Sequence, residues 1–162
     1  MAAEITGPRV AAQGQPGEVH TTAKNPLGAI AYGYDANGTP AAYVYLKGVA
    51  STIVGSVVTY DEAGVSTLIA AGAIGPVAVA TAITDSTSEY GWYGIYGLFP
   101  TDVVANSADN SAVGRETTDG KVGDGFATGD MILGSVQRAA TTSAAVVNVQ
   151  YVWPFVNSQV GA

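Results

Sequence analysis

His20 is the single histidine of the 162-residue chain, and it sits in a stretch rich in proline and glycine. One imidazole cannot build a two-histidine metal site, and no confident serine–histidine–acid triad can be assembled around it. It reads as an incidental surface histidine. Six acids, Asp102, Asp109, Glu116, Asp119, Asp124 and Asp130, gather with Asn106 and Asn110 in a polar span over 102–130. Calcium needs about six to eight oxygens, and such a span can supply them, but the spacing follows no calcium-loop pattern. These acids read as solvated turn carboxylates. Paired carboxylates for glycoside hydrolysis are a matter of spatial separation, and nothing in the sequence singles out a pair. A Gly-x-Ser-x-Gly elbow is absent, and Gly120-Lys121-Val122 lacks the hydroxyl that a phosphate loop places after its lysine. No catalytic, metal-ligating or cofactor-binding residue is therefore assigned.

The remaining candidates are aromatic. Tyr90, Trp92, Tyr93, Tyr96, Tyr151, Trp153 and Phe155 could form a sugar-stacking platform or a subunit interface, since rings are enriched both in β cores and at interface centres. Trp92 and Tyr96 are assigned to core or intersubunit packing. Tyr93, Tyr151 and Trp153 join them as core or oligomer-interface rings.

These rings need strands to position them. In Gly75–Phe99, Val77, Val79, Thr81 and Ile83 fall on one face of an extended run, and Tyr90, Trp92 and Tyr96 share a face of the next. Glycines at 91, 94 and 97 make that segment a poor helix and a plausible close-packed or bulged strand. Upstream, 29–34 and 41–49 flank an Asn37-Gly38 turn, and 56–60 and 65–70 flank Asp61-Glu62-Ala63-Gly64. Downstream, Pro100 punctuates the central hairpin, 102–105 is a short strand, short paired pieces fall near 112–114 and 120–122, and 130–139 and 144–155 close the fold. In the last, Val147, Val149, Tyr151 and Trp153 alternate with Asn148, Gln150 and Val152. No helical stripe is present, and turn signals between closely spaced strands indicate an all-β fold, a small barrel or a jelly-roll or sandwich. Residues 1–27, with Pro8, Pro16 and Pro26, read as an extended N-terminal arm, and 28–162 as the β-barrel or β-sandwich domain.

Composition narrows the partners. Six Lys plus Arg stand against thirteen Asp plus Glu, for a formal net charge of −7. The cations are scattered singly, so nucleic acid and anionic membrane surfaces are poor partners. The chain holds no cysteine, 21 glycines and 48% hydrophobic residues, so the fold stands on packing, and its weakly charged surface suits contact with protein neighbours. The start MAAEITGPRV has no basic, apolar export signal, and 68–83 is too interrupted to span a membrane.

The order Lys47-Gly48, then Gly75-Pro76-Val77-Ala78-Val79-Ala80, then Tyr90-Gly91-Trp92-Tyr93-Gly94-Ile95-Tyr96-Gly97, then Gly129-Asp130-Met131-Ile132-Leu133-Gly134 resembles the capsid decoration or cement proteins of tailed bacteriophages. The resemblance covers residues 29–153 in texture. It implies a β-rich homotrimer on the outer face of the virion, bound to the major capsid protein, with no cofactor and no catalytic residues. Under it the arm is the capsid-binding element, through Pro8, Arg9, Pro16, His20, Lys24 and Pro26, and removing residues 2–25 leaves a folded protein that no longer binds heads. The other reading is a head-fibre or adhesin-type module that binds a host-surface glycan or receptor through exposed rings and the 102–130 loop.

Overall fold

A computed structural model of the chain describes residues 3–5 and 14–157. The fold is all-β. Among the described residues the strands are β1 (Glu4–Ile5), β2 (Ile30–Tyr34), β3 (Pro40–Lys47), β4 (Val57–Tyr60), β5 (Ser66–Leu68), β6 (Ile74–Ala80), β7 (Tyr90–Val103), β8 (Ala112–Arg115), β9 (Val122–Gly123), β10 (Met131–Gln137) and β11 (Ala145–Asn157). They form one sheet in the order β1-β2-β3-β7-β9-β8-β10-β11-β6-β4-β5, with further pairings of β7 to β11 and to β6.

Those further pairings fold the sheet back on itself twice around β7. The first half of β7 lies between β3 and β6, and β4 and β5 complete a ring that the Lys47–Val65 bridge closes against β3. The second half of β7 pairs with β11, then β10, β8 and β9 lead back to it through Val103 and Val122. Sheet edges are thus largely consumed, which removes sites for stray strand pairing.

Alternation along β3 fills two cores at once. Val44 and Leu46 point with Val58, Ala78, Ala80, Tyr93 and Ile95 into the first ring. Tyr43 and Tyr45 point the other way, into the larger core with Trp92, Phe99, Val149 and Tyr151. Burial pushes the Tyr43, Tyr93 and Tyr151 phenols above their ordinary range. The Tyr43 hydroxyl donates to the Tyr34 carbonyl at 2.7 Å, which answers its buried polar end. In the second ring, the Ser107 hydroxyl donates to Gln137 Oε1 at 2.6 Å and Thr141 donates to the Val104 carbonyl at 2.8 Å, a polar plug where the chain turns.

Where proline ends a strand in the sequence reading, the structure continues it. Pro100 sits inside β7, opposite Asn148 of β11, and 102–103 belongs to the same strand. A proline at an exposed position forgoes one ladder donor without breaking the extended path that its fixed φ already favours.

The two predicted hairpin turns are built alike. Asp35 Oδ1 accepts from the backbone N–H of Asn37 at 2.8 Å and of Thr39 at 3.0 Å. Asp61 Oδ1 does the same for Ala63 and Val65, at 3.0 and 2.9 Å. Gly38 and Gly64 take the left-handed conformation that closes each turn, at φ of 79° and 71°. Asp35 goes further, because its Oδ2 accepts from the Thr39 hydroxyl and from the Leu98 N–H at 3.0 Å, tying the β2–β3 hairpin to β7. Burial pushes this carboxyl up, but the Thr39 hydroxyl and the backbone N–H groups of Thr39, Leu98 and Asn37 outweigh it and hold it below the ordinary aspartate value. A depressed carboxylate contributes stability that is whole above its unfolded pKa of about 3.9 and fades as pH falls through the lower folded value. Asp35→Asn is therefore expected to cost about 1–3 kcal/mol in urea unfolding at pH 7, with the gap from the parent protein shrinking below about pH 4.

Candidate functional site

The N-terminal segment is partly absorbed into the body. His20 is buried, and its backbone exchanges hydrogen bonds with Tyr90 in both directions at 2.8 Å. Its Nδ1 lies 2.7 Å from the Tyr45 hydroxyl, and that hydroxyl also accepts from the Lys24 N–H at 3.2 Å. With the Lys24 N–H on the phenol oxygen, the phenol proton is free to go to Nδ1, leaving Nε2–H to donate to Glu18 Oε2 at 3.3 Å. The backbone N–H of Gln15 and the His20 ring hold the Glu18 carboxyl below its ordinary value. The reading of His20 as an incidental surface residue is thus corrected: it is a buried clasp between the N-terminal segment and β3 and β7.

The other residues expected in a capsid-binding arm are dispersed. Pro16 is half-buried and lines a cleft beside Phe99 and Pro100, whereas Lys24 and Pro26 are exposed. Pro8 and Arg9 lie outside the described residues. Because Glu4–Ile5 pairs with Gly33 and Tyr34, and His20 with Tyr90, removal of 2–25 would strip two sheet contacts as well as any arm.

The 102–130 acids also divide. Asp102 and Asp130 are buried, Asp130 against the Arg115 guanidinium at 2.7 Å and Asp102 against the Lys121 ammonium at 3.1 Å. They are structural ion pairs rather than solvated turn carboxylates. Asp124 accepts from the Ala108 N–H at 2.8 Å and so staples the loop.

Among the aromatic candidates, Trp92, Tyr93 and Tyr151 are fully buried, with Trp92 edge-on to Tyr45 at 5.0 Å. Tyr96 and Trp153 are not in the core. Two β-bulges put them outside. On β7, Tyr43 faces Gly94 while Ala42 faces Tyr96, so Ile95 is the extra residue and Tyr96 leaves the face it would share with Trp92. On β11, Tyr151 faces Ser135 and Phe155 faces Leu133, leaving Val152, Trp153 and Pro154 opposite Gly134 alone. Parity flips there: Ile132 and Val156 are buried before the bulge, Ser135 and Tyr151 after it, and Val152 and Trp153 both stand exposed. Trp153 takes up the slack at φ 49°, a left-handed conformation that costs an L-residue about 1–2 kcal/mol. The displaced rings meet, their centroids 6.3 Å apart at 40°.

A second exposed surface is apolar. Leu133, Phe155 and Pro76 lie directly across from one another on β10, β11 and β6, and Met131 and Ile74 share their face by alternation. Met131, Leu133, Phe155 and Ile74 are exposed. Sequence reading missed this face, because exposed and buried apolar residues look alike once a bulge has shifted the parity.

Comparison of the chain with family models, curated proteins and solved structures finds no match in any of the three. The functional reading therefore rests on these surfaces.

Removing the hydroxyl that holds His20 tests the clasp. Tyr45→Phe is expected to cost about 1–3 kcal/mol, and limited proteolysis should show faster cleavage within 14–27 while the rest of the body stays resistant. Unchanged cleavage would mean that the clasp does not hold the segment.

Proposed function

We propose that this protein is a structural virion component, an outer-capsid decoration protein that acts as a homotrimer and binds across subunits of the major capsid protein. One observation carries the reading: Ile74, Pro76, Met131, Leu133 and Phe155 form an exposed apolar face on a closed β body, with Asn157 beside Ile74 and the carboxylates of Asp61 and Glu62 at its β6 margin. An exposed apolar surface of this kind gains free energy when a protein neighbour covers it. The texture shared with decoration proteins over 29–153, and a chain with only 12% charged residues, support the same reading.

The physical logic of such a subunit is additive contact. A capsid under pressure from packaged DNA fails where subunits separate, so a protein that touches several subunits stabilises only the assembled lattice. Three modest contacts on one trimer act at high effective concentration and hold far more tightly than one. The buried clasp at His20 fixes the N-terminal segment on the body, leaving Lys24 and Pro26 exposed beside it as further capsid contacts.

The double variant Leu133→Asp, Phe155→Asp tests this directly. Both side chains are exposed, so the thermal unfolding midpoint should stay within a few degrees of the parent. Native mass measurement should show loss of the trimer, or occupancy on purified heads should fall at least about tenfold. Parent-like mass together with parent-like occupancy would refute the proposal.

A further inference from the structure

The bulges at Tyr96 and Trp153 build a groove as well as correcting a pattern. Tyr32, Ala42, Tyr96 and Val152 lie in one cross-strand row over β2, β3, β7 and β11. Ala42 is small and buried, so Tyr32, 63% exposed, and Tyr96, 38% exposed, stand on either side of a depression. Trp153, 48% exposed, leans over Tyr96. Tyr32, Pro40, Tyr96 and Trp153 bound a cavity of about 270 Å³. Pro40 and Tyr96 also wall an adjoining cavity of about 440 Å³ whose far side is Arg138 and Gln150.

Arg138 is held in place by neutral groups. Its Nε and Nη2 donate to Gln150 Oε1 at 3.0 and 2.6 Å, and Nη1 donates to Asn110 Oδ1 at 2.6 Å. A guanidinium carries about five N–H donors, so some remain unused. Among the described residues no carboxylate lies within ion-pairing distance of it. In a chain of net charge −7, a fixed cation without an acidic partner, at the polar end of an aromatic groove, complements a ligand that has one apolar face and one anionic group.

We propose that this groove binds an acidic saccharide, with a pyranose ring against Trp153 and Tyr96 and its carboxylate on Arg138. The C–H face of a pyranose matches an aromatic face, and a carboxylate accepts from a guanidinium in paired geometry. A purely apolar occupant would instead cover Arg138 and leave its charge desolvated and unpaired. A long polyanion is disfavoured by the other carboxylates of the chain. The left-handed backbone at Trp153 fits the role, because it accompanies an indole that stands exposed beside Tyr96. The site does not depend on the shell reading, and the apolar face of β10, β11 and β6 is not part of it.

Saturation-transfer NMR and calorimetry on the full chain test the proposal, with 3′-sialyllactose and a glucuronate-containing disaccharide as probes and lactose as the neutral control. At least one acidic probe should bind, with transfer strongest on its ring protons, and lactose should bind at least about tenfold more weakly. Arg138→Gln should bring the acidic probe to the lactose level. Trp153→Asn, which suits the left-handed backbone, and Tyr32→Ala, at the most exposed ring, should each weaken binding by about tenfold or more with the fold retained. The two substitutions guard against misreading a folding defect. Absence of binding by both acidic probes, or binding that survives Trp153→Asn and Tyr32→Ala, overturns the proposal. So does a change of native mass in either variant, which would make the groove a subunit interface, or preferential capture of a proline-rich peptide over both acidic probes.

Discussion

Strand β7 must serve two rings, and the shape of the molecule depends on how it does so. Its first half is hydrogen-bonded between β3 and β6, and its second half turns to β11 and β9. A straight strand cannot lie in two closed curves, so β7 bends where Ile95 bulges and Gly97 takes φ 126°. Gly94 makes room at the bend: a Cβ there would occupy the Phe99 ring, which folds back over the strand. The Leu98 N–H, just past the bend, is claimed by Asp35 of the β2–β3 turn. The turn carboxylate, the two glycines and the ring of Phe99 thus form one device that sets the angle between the halves.

Much of this is legible in the residues. The Asp-x-x-Gly turns announce two hairpins because an aspartate can cap two backbone N–H groups and glycine can turn left, and both chemistries are local. The division of β3 into Tyr43 and Tyr45 on one face and Val44 and Leu46 on the other comes from a period of two, and the structure places these pairs in different cores. Periodicity fails where an extra residue enters a strand. Tyr96 and Trp153 sit beyond such insertions, so alternation pairs each with a buried ring, Trp92 or Tyr151, whose face it does not share. The one hint is the company of glycine: Gly94 and Gly97 flank the first bulge, and Gly134 faces the second. His20 escapes sequence reading for a different reason. Its burial depends on Tyr45 and Tyr90, remote in sequence, and no local pattern encodes a partner at that distance.

Several polar groups inside the body are met by neutral or paired partners, whereas among the described residues Glu89 Oε2, Arg115 Nε and Glu116 Oε1 are buried without one. Asp102 lies against the Lys121 ammonium and Asp130 against the Arg115 guanidinium. The buried phenols of Tyr45, Tyr93 and Tyr151 meet His20, Thr84 and Thr101. Satisfied polar contacts of this kind specify one arrangement of strands more than they add net stability, which suits a body that exposes aliphatic and aromatic surfaces without letting them collapse inward.

The sharing of β7 also orders the birth of the molecule. Every strand of the first ring lies between Pro40 and Tyr96, so that ring can close while the ribosome is still making the strands of the second. The second cannot, because β11 spans Ala145–Asn157 near the far end of the chain. For the interval between them the rear half of β7 waits with its amides and carbonyls unpaired, and an adjacent nascent chain offers the same half-strand. The 104–144 stretch therefore separates the closure of the two rings along the chain.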